Sequence, residues 1–294
     1  NKGGHTLTYL AWLHKSRCRE FKRAKPALSC YGQALGPYLS WCACTTGVAL
    51  CRAGEQGPTM KLGILKTDAV RPEWVPEFGE YPDMFAALLG QADPSLEFVV
   101  YDVEEGQYPD DIEEVDAYLI TGSKSSVYDD KPWIARLMDF VQELDRRRKK
   151  LVGICFGHQL VAQALGGETA KSPKGWGVGL HTHQFNTLPA WHDQGQPAFD
   201  ILVSHQDQVL KNAQGARVLA GSHFCENAVC QIGDHILTFQ GHPEFVSAYS
   251  REIMELRREM IGEQVYTSGM ASLATEPESQ RIARWIVNFL NGKA

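Results

Sequence analysis

The sequence predicts an α/β fold: three layers, with a mostly parallel sheet between flanking helices, extended by a smaller mixed β section. Three observations predict it. From Met60 onward, short apolar runs rich in β-branched residues alternate with stretches of helical period. At residues 153–157 a strand pattern passes into a helix pattern through a turn bracketed by glycines. The 294 residues carry 44% hydrophobic and 22% charged side chains, the composition of an ordinary globular chain.

The elements follow in order. Residues 62–65, 96–103, 117–121 and 151–154 are apolar runs bounded by Gly, Pro or Asp, and they read as buried strands. Residues 82–91, 131–148 and 156–165 read as the helices between and after them. The second places Trp133, Ile134, Leu137, Phe140, Val141 and Leu144 on one side. Strands alternating with helices build βαβ units and hence parallel pairing. After Gly166-Gly167 the texture changes. Residues 175–185, 201–203, 217–221, 228–232 and 236–239 read as shorter strands with tight turns, and helices are expected at 246–262 and 278–290. With no internal repeat, residues 60–294 read as one domain.

Charge divides the chain. Up to Thr59, eight basic residues face two acidic ones, a net of +6; beyond it 21 face 33, a net of −12 within the overall −6. Cys18, Cys30, Cys42, Cys44 and Cys51 fall in the basic part, leaving Cys155, Cys225 and Cys230 for the rest. The apolar stretches 7–13 and 38–51 are too weak for a secretory signal, and Cys42-Ala43-Cys44 lacks a matching pair at zinc-site spacing. The strand pattern begins directly after Met60. Met60 is therefore expected to be the natural start, with residues 1–59 an upstream extension or a mis-called start. The negative charge argues against nucleic-acid binding, and no apolar run reaches the roughly 20 residues that would span a membrane.

The chemical centre is Gly153-Ile154-Cys155-Phe156-Gly157-His158-Gln159. A nucleophile between two glycines at a strand-to-helix turn forms a nucleophile elbow, where neighbouring Cβ atoms have no space. The start of the helix favours the thiolate, the form of Cys155 that attacks. The segment Gln240-Gly241-His242-Pro243-Glu244-Phe245 offers the proton-transfer partner. Pro243 biases His242 toward extended backbone, which puts His242 and Glu244 on one face. His242 then moves the proton while Glu244 orients it and steadies its charge. The Phe156 N–H, just after the nucleophile, is one natural oxyanion donor, and the loop Thr121-Gly122-Ser123-Lys124-Ser125-Ser126 is placed to give a second. That loop fits no phosphate-binding spacing.

These residues carry a resemblance. The Gly-Ile-Cys-Phe-Gly-His-Gln run, the Ala-Leu-Gly-Gly at 164–167 and the Gly-His-Pro-Glu downstream closely resemble the class I, triad-type glutamine amidotransferase domain. The resemblance runs from about Met60 to the C-terminus. It implies a flavodoxin-like sheet, a triad of Cys155, His242 and Glu244, and oxyanion donors from the main chain of Gly122 and Phe156. It also implies that Gln159 and the segment Ser204-His205-Gln206-Asp207 hold the amino-acid end of the substrate. Thr121-Gly122-Ser123 departs from the Gly-Gly-Pro of many members, so the oxyanion loop is carried over by position and role. Residues 120–134 are most similar to the branch that includes plant γ-glutamyl peptidases and guanylate-synthase-type amidotransferases.

The expected reaction is hydrolysis of glutamine or a γ-glutamyl conjugate through a Cys-linked γ-glutamyl thioester, without cofactor or metal, in the cytoplasm. No synthetase sequence accompanies the domain, so the ammonia either passes to a separate synthetase subunit or is simply released. The competing readings are a cysteine peptidase or chaperone-like member of the same fold, and a non-catalytic binding subunit. Four smaller readings complete the set. His223, Cys225 and Cys230 make a poor metal site at that spacing. His181 and His183 read as a polar strand face. Residues 146–150 read as a solvated helix end. Trp176 and Tyr128 are placed at the substrate entrance.

Overall fold

Burial explains why the short apolar runs become strands. In this computed structural model, which describes residues 59–292, all four residues of the strand Ala117–Ile120 are buried. Ala117 and Leu119 pack into one layer; Tyr118 and Ile120 pack into the other. Apart from Thr59, the expectations placed on the basic, cysteine-rich segment 1–59 lie outside the described residues.

The strands are β1 (Lys61–Lys66), β2 (Glu97–Asp102), β3 (Ala117–Ile120), β4 (Lys150–Ile154), β5 (Glu168–Lys171), β6 (Gly177–Phe185), β7 (Ala198–His205), β8 (Asp207–Lys211), β9 (Ala216–Gly221), β10 (Val229–Ile232) and β11 (Ile236–Phe239). Nine of them form one sheet in the order β2-β1-β3-β4-β11-β10-β9-β6-β7. The first five are parallel, in the flavodoxin-like order, with the switch point between β1 and β3. The mixed section continues this sheet with antiparallel pairs, and β5 pairs with β8 in a small sheet of their own. The antiparallel strands curl back, so Leu202 of β7 bridges His242 just after β11.

The helices are α1 (Val75–Phe78), α2 (Tyr81–Ala92), α3 (Pro132–Arg146), α4 (Phe156–Ala164), α5 (Ser247–Leu256), α6 (Arg258–Ile261), α7 (Glu263–Ser272) and α8 (Ser279–Leu290). The apolar sides of α2 and α8 cover one face of the parallel strands, and those of α3 and α4 cover the other. This is the three-layer arrangement the alternation predicts.

The structure corrects two readings. The helix expected over 246–262 is broken at Arg257 into α5 and α6, ends at Gly262 with φ +81°, and is followed by α7. The sequence of α7 hides it, because Thr267, Ser268 and Gly269 interrupt any apolar stripe. Gly269 is needed for packing: a Cβ there would lie 2.7 Å from both Met254 Sδ and Val178 Cγ2. The second correction concerns His181 and His183, read as a polar face. His183 is buried beside Phe199, and His181 packs edge-on against Phe224, so aromatic rings rather than water cover that side of β6. The basic run at the end of α3 is held by its neighbours: Arg146 and Arg147 pair with Glu143, and Lys149 pairs with Glu113.

Candidate active site

The carboxyl ends of the parallel strands carry the site, as expected for an open α/β sheet. At the end of β4 the chain turns at Cys155, whose φ of +49° and ψ of −98° lie outside the comfortable regions for a side-chain-bearing residue. Its N–H donates to Phe239 O at 2.8 Å, and its carbonyl accepts from Gln159 N–H at 3.0 Å. The two flanking glycines are required by contact. A Cβ on Gly153 would lie 2.7 Å from Gly157 O, and one on Gly157 would lie 2.7 Å from Ile120 O. The elbow therefore holds a nearly buried sulfur at the start of α4.

His242 follows β11 and is anchored by its N–H to Leu202 O at 2.7 Å. Its Nδ1 meets Glu244 Oε1 at 2.8 Å, as extended backbone through Pro243 predicts. The other Glu244 oxygen is buried with no protein partner among the described residues, so His242 is this carboxylate's main compensation. Phe245 stacks on the imidazole, with centroids 3.9 Å apart and planes 9° from parallel. Burial disfavours charge on His242, but the adjacent Cys155 sulfur and Glu244 carboxylate, each also hydrogen-bonded to it, outweigh burial and push its pKa up to about 10.

Gly122 lies against this pair. A Cβ on it would be 2.8 Å from His242 Cε1 and 3.7 Å from Cys155 Cβ. The Thr67 hydroxyl donates to Gly122 O at 2.9 Å, and Thr67 N–H donates to Thr121 Oγ1 at 3.0 Å, which fixes the loop from beneath. Among the described residues, no protein acceptor takes the N–H of Gly122 or of Phe156. Two unclaimed amides beside a sulfur and an imidazole are arranged to hold an oxygen on which negative charge develops.

A cavity of about 220 Å³ opens over the sulfur, lined by Cys155, Gln159 and the whole run Ser204, His205, Gln206 and Asp207. The residues expected to hold substrate are thus brought together, yet most are already engaged. Gln159 Nε2 donates to Asp207 O at 2.9 Å. Ser126 and Tyr128 hydroxyls donate to the two Asp207 carboxylate oxygens at 2.6 and 2.9 Å. Arg257 Nη1 donates to Ser204 Oγ at 2.9 Å. His205 is buried, and its Nδ1 lies 3.0 Å from Asp207 O. Burial and the neighbouring His181 push its pKa down to about 3, so it is neutral.

Trp176 lines the cavity as expected, whereas Tyr128 acts on it through Asp207. Lys171, Arg257 and Met260 also line it, and sequence reasoning missed them. Arg257 sits at a helix break that carries no local signal. A larger cavity of about 530 Å³, among Lys150, Trp191, Arg217 and Phe289, lies apart from this chemistry.

Among the described residues, no cluster of three His, Cys, Asp or Glu side chains could hold a metal ion, and no helix is long and apolar enough to cross a membrane. Cys225 and Cys230 are buried thiols, each pushed up to about 12 by burial, and Cys230 donates weakly to Asn212 Oδ1.

Comparison with known proteins shows the family and the fold. Residues 81–257 match the family model described as glutamine amidotransferase class-I. A γ-glutamyl peptidase 2 of Arabidopsis thaliana is 30% identical over 230 residues, covering 75% of this chain and 92% of its own. A glutamine amidotransferase-like protein of Gibberella zeae is 28% identical, covering 69% of this chain and 86% of its own. The crystal structure of a glutamine amidotransferase from Thermotoga maritima superposes with a TM-score of 0.63 at 15% identity, covering 80% of this chain and 97% of that one.

Proposed function

The chain belongs to the glutamine amidotransferase class-I family, and on that premise we propose that it hydrolyses the side-chain amide of glutamine or of a γ-glutamyl conjugate, with Cys155, His242 and Glu244 as its triad. One observation carries the reading: an imidazole hydrogen-bonded on one side to a buried carboxylate and on the other to a sulfur held at a strained elbow.

The thiolate of Cys155 attacks the γ-carbonyl, forming a C–S bond. The carbonyl oxygen becomes an oxyanion, held by the N–H groups of Gly122 and Phe156. As the C–N bond breaks, His242 gives its proton to the departing ammonia or amine, leaving a γ-glutamyl thioester. The acylated sulfur is no longer an anion, so the largest effect raising the His242 pKa is gone and burial now favours neutral imidazole. Neutral His242 takes a proton from water, the resulting hydroxide attacks the thioester, and glutamate and thiolate are released. Gln159 and residues 204–207 are assigned to the amino-acid end of the substrate, because they line the cavity over the sulfur.

Relatives named γ-glutamyl peptidase favour simple release of an amine over delivery of ammonia to a synthetase subunit. The amidotransferase-like relatives keep ammonia delivery as the second outcome of the same chemistry. The three described cysteines are free thiols, which suits the reducing cytoplasm where we place the reaction.

The test is an assay of glutamate release from glutamine and from a panel of γ-glutamyl amines and peptides, with the parent chain and Cys155→Ala. The parent is expected to turn over at least one of these compounds, and the variant to fall by about a thousandfold or more with an unchanged melting profile. Undiminished turnover by Cys155→Ala would refute the assignment. Preference for a conjugate selects the free-hydrolase outcome, and preference for glutamine selects ammonia delivery.

A further inference from the structure

We propose that Gln240 is a further catalytic residue, whose side-chain amide donates a hydrogen bond to the Cys155 sulfur and stabilises it as the thiolate. Gln240 follows β11 directly and is completely buried, so both ends of its amide need protein partners. Its Nε2 lies 3.6 Å from Cys155 Sγ, within reach for a donor to sulfur, and its Oε1 lies 3.1 Å from Gln159 Nε2.

Which end of the amide faces the sulfur is settled by a chain of obligatory roles. The backbone carbonyl of Asp207 can only accept, and Gln159 Nε2 lies 2.9 Å from it. The Gln159 terminus facing Asp207 is therefore its NH2 group. The second hydrogen of that group points to Gln240, which must then present its oxygen. Gln240 is left with its own NH2 toward Cys155. Turning the Gln240 amide over would set two NH2 groups against each other and aim a carbonyl lone pair at a sulfur anion. The order Asp207 carbonyl, Gln159, Gln240, Cys155 is the one self-consistent assignment.

The sulfur thus has two donors on different elements: His242, which moves its proton during turnover, and Gln240, which cannot. A fixed neutral donor keeps the thiolate favoured when His242 is neutral, as it must be at the moment the sulfur leaves the thioester. Other charged or titratable groups also face Cys155. Glu244 stands behind His242, and Cys225 is near enough to feel its charge. The cavity above carries Lys124, Lys171 and Arg257 against His205 and Asp207. None of these groups hydrogen-bonds the Gln240 side chain, whose partners are Gln159 and Cys155, so a difference between variants reads the amide.

The inference rests on Cys155 being the nucleophile, but its test reads the sulfur and not turnover. Alkylation of Cys155 by iodoacetamide is followed from pH 5 to 10 in the full chain. The Cys155 peptide is resolved by mass spectrometry, so the other cysteines do not contribute. Gln240→Leu removes the donor. Gln240→Met likewise lacks a donor and is close to glutamine in volume, and it decides the matter if the Leu variant does not fold. The midpoint of the alkylation profile is expected to rise by about one pH unit in both variants, the scale of one charge-assisted hydrogen bond. A midpoint within about 0.3 unit of the parent, or below it, in whichever variant folds overturns the proposal. A raised midpoint in a chain that hydrolyses no γ-glutamyl compound keeps the role of Gln240 and removes the hydrolase reading. Turnover lost with an unmoved midpoint does the reverse.

Discussion

Gly122 bears no side chain because His242 occupies the space: a Cβ would stand 2.8 Å from His242 Cε1, closer than real carbon contacts allow. The imidazole cannot retreat easily, since Phe245 covers its face at 3.9 Å and Glu244 holds its Nδ1. Gly122→Ala is therefore expected to tilt His242 away from Cys155 and lower kcat/KM by about a hundredfold, on the scale of a 1 Å misplacement. Gly122 is not in the left-handed region, so the melting temperature should stay nearly constant. Steady-state kinetics beside a thermal melt separates the two, and full activity would show that His242 moves freely. Residues this local were legible in the sequence. Cys155 is marked by its glycines, and His242 with Glu244 by the alternation of extended backbone through Pro243. Gln240 stood in the same motif without a role, because its partners, Cys155 and Gln159, lie 85 and 81 residues away. Arg257 carried no signal, since only folding brings a helix break over the cavity.

At the level of elements, α8 shows how a helix far from the chemistry supports it. Its apolar face buries Ile282, Ala283, Trp285, Ile286 and Phe289 against the sheet. Trp285 is fully buried, with the rings of Phe185, Trp191, His192 and Phe199 around it at 4.6 to 6.4 Å. Trp285→Ala is expected to cost about 3–5 kcal/mol in a denaturant titration, through lost burial and the cavity left behind. Native-state alkylation of Cys155 should be unchanged, because none of these rings touches the elbow. A loss below about 1 kcal/mol would mean that the aromatic cluster collapses to fill the space. The amphipathic pattern of α8 made it legible, as did the buried runs of β1, β3, β4 and β11. By contrast β5 and β8 are only four and five residues long, with Glu168, Lys171, Asp207 and Lys211 at their ends. They exist because they pair with each other, and no local pattern announces that.

For the whole molecule, stability in mild acid follows from where the fold puts its histidines. His158 on α4, His183 on β6 and His205 on β7 are each buried, and burial pushes their pKa values down to about 4, 4 and 3. In the unfolded chain each titrates near 6.5. Between about 6.5 and 4 the unfolded state therefore binds more protons than the folded one. The stability these three contribute is complete above about 6.5 and is lost as the pH falls through that window. The loss approaches about 1.4 kcal/mol per pH unit for each histidine, so three together outweigh most single contacts. Glu104, raised by burial, acts in the opposite sense, but it is one group against three. Asp193, held to about 2 by Arg281 against the opposing effect of burial, begins to count only below about 4. Thermal melts at intervals from pH 6.5 to 4 should fall steeply as these three histidines titrate in the unfolded chain. His183→Phe should reduce the fall, since a phenyl ring suits the pocket beside Phe199 and takes no proton. If the variant loses stability with the same slope as the parent, His183 does not supply the acid sensitivity. His158 and His205 would then carry it, and both adjoin the elbow and the cavity, so activity should fail at a higher pH than global unfolding.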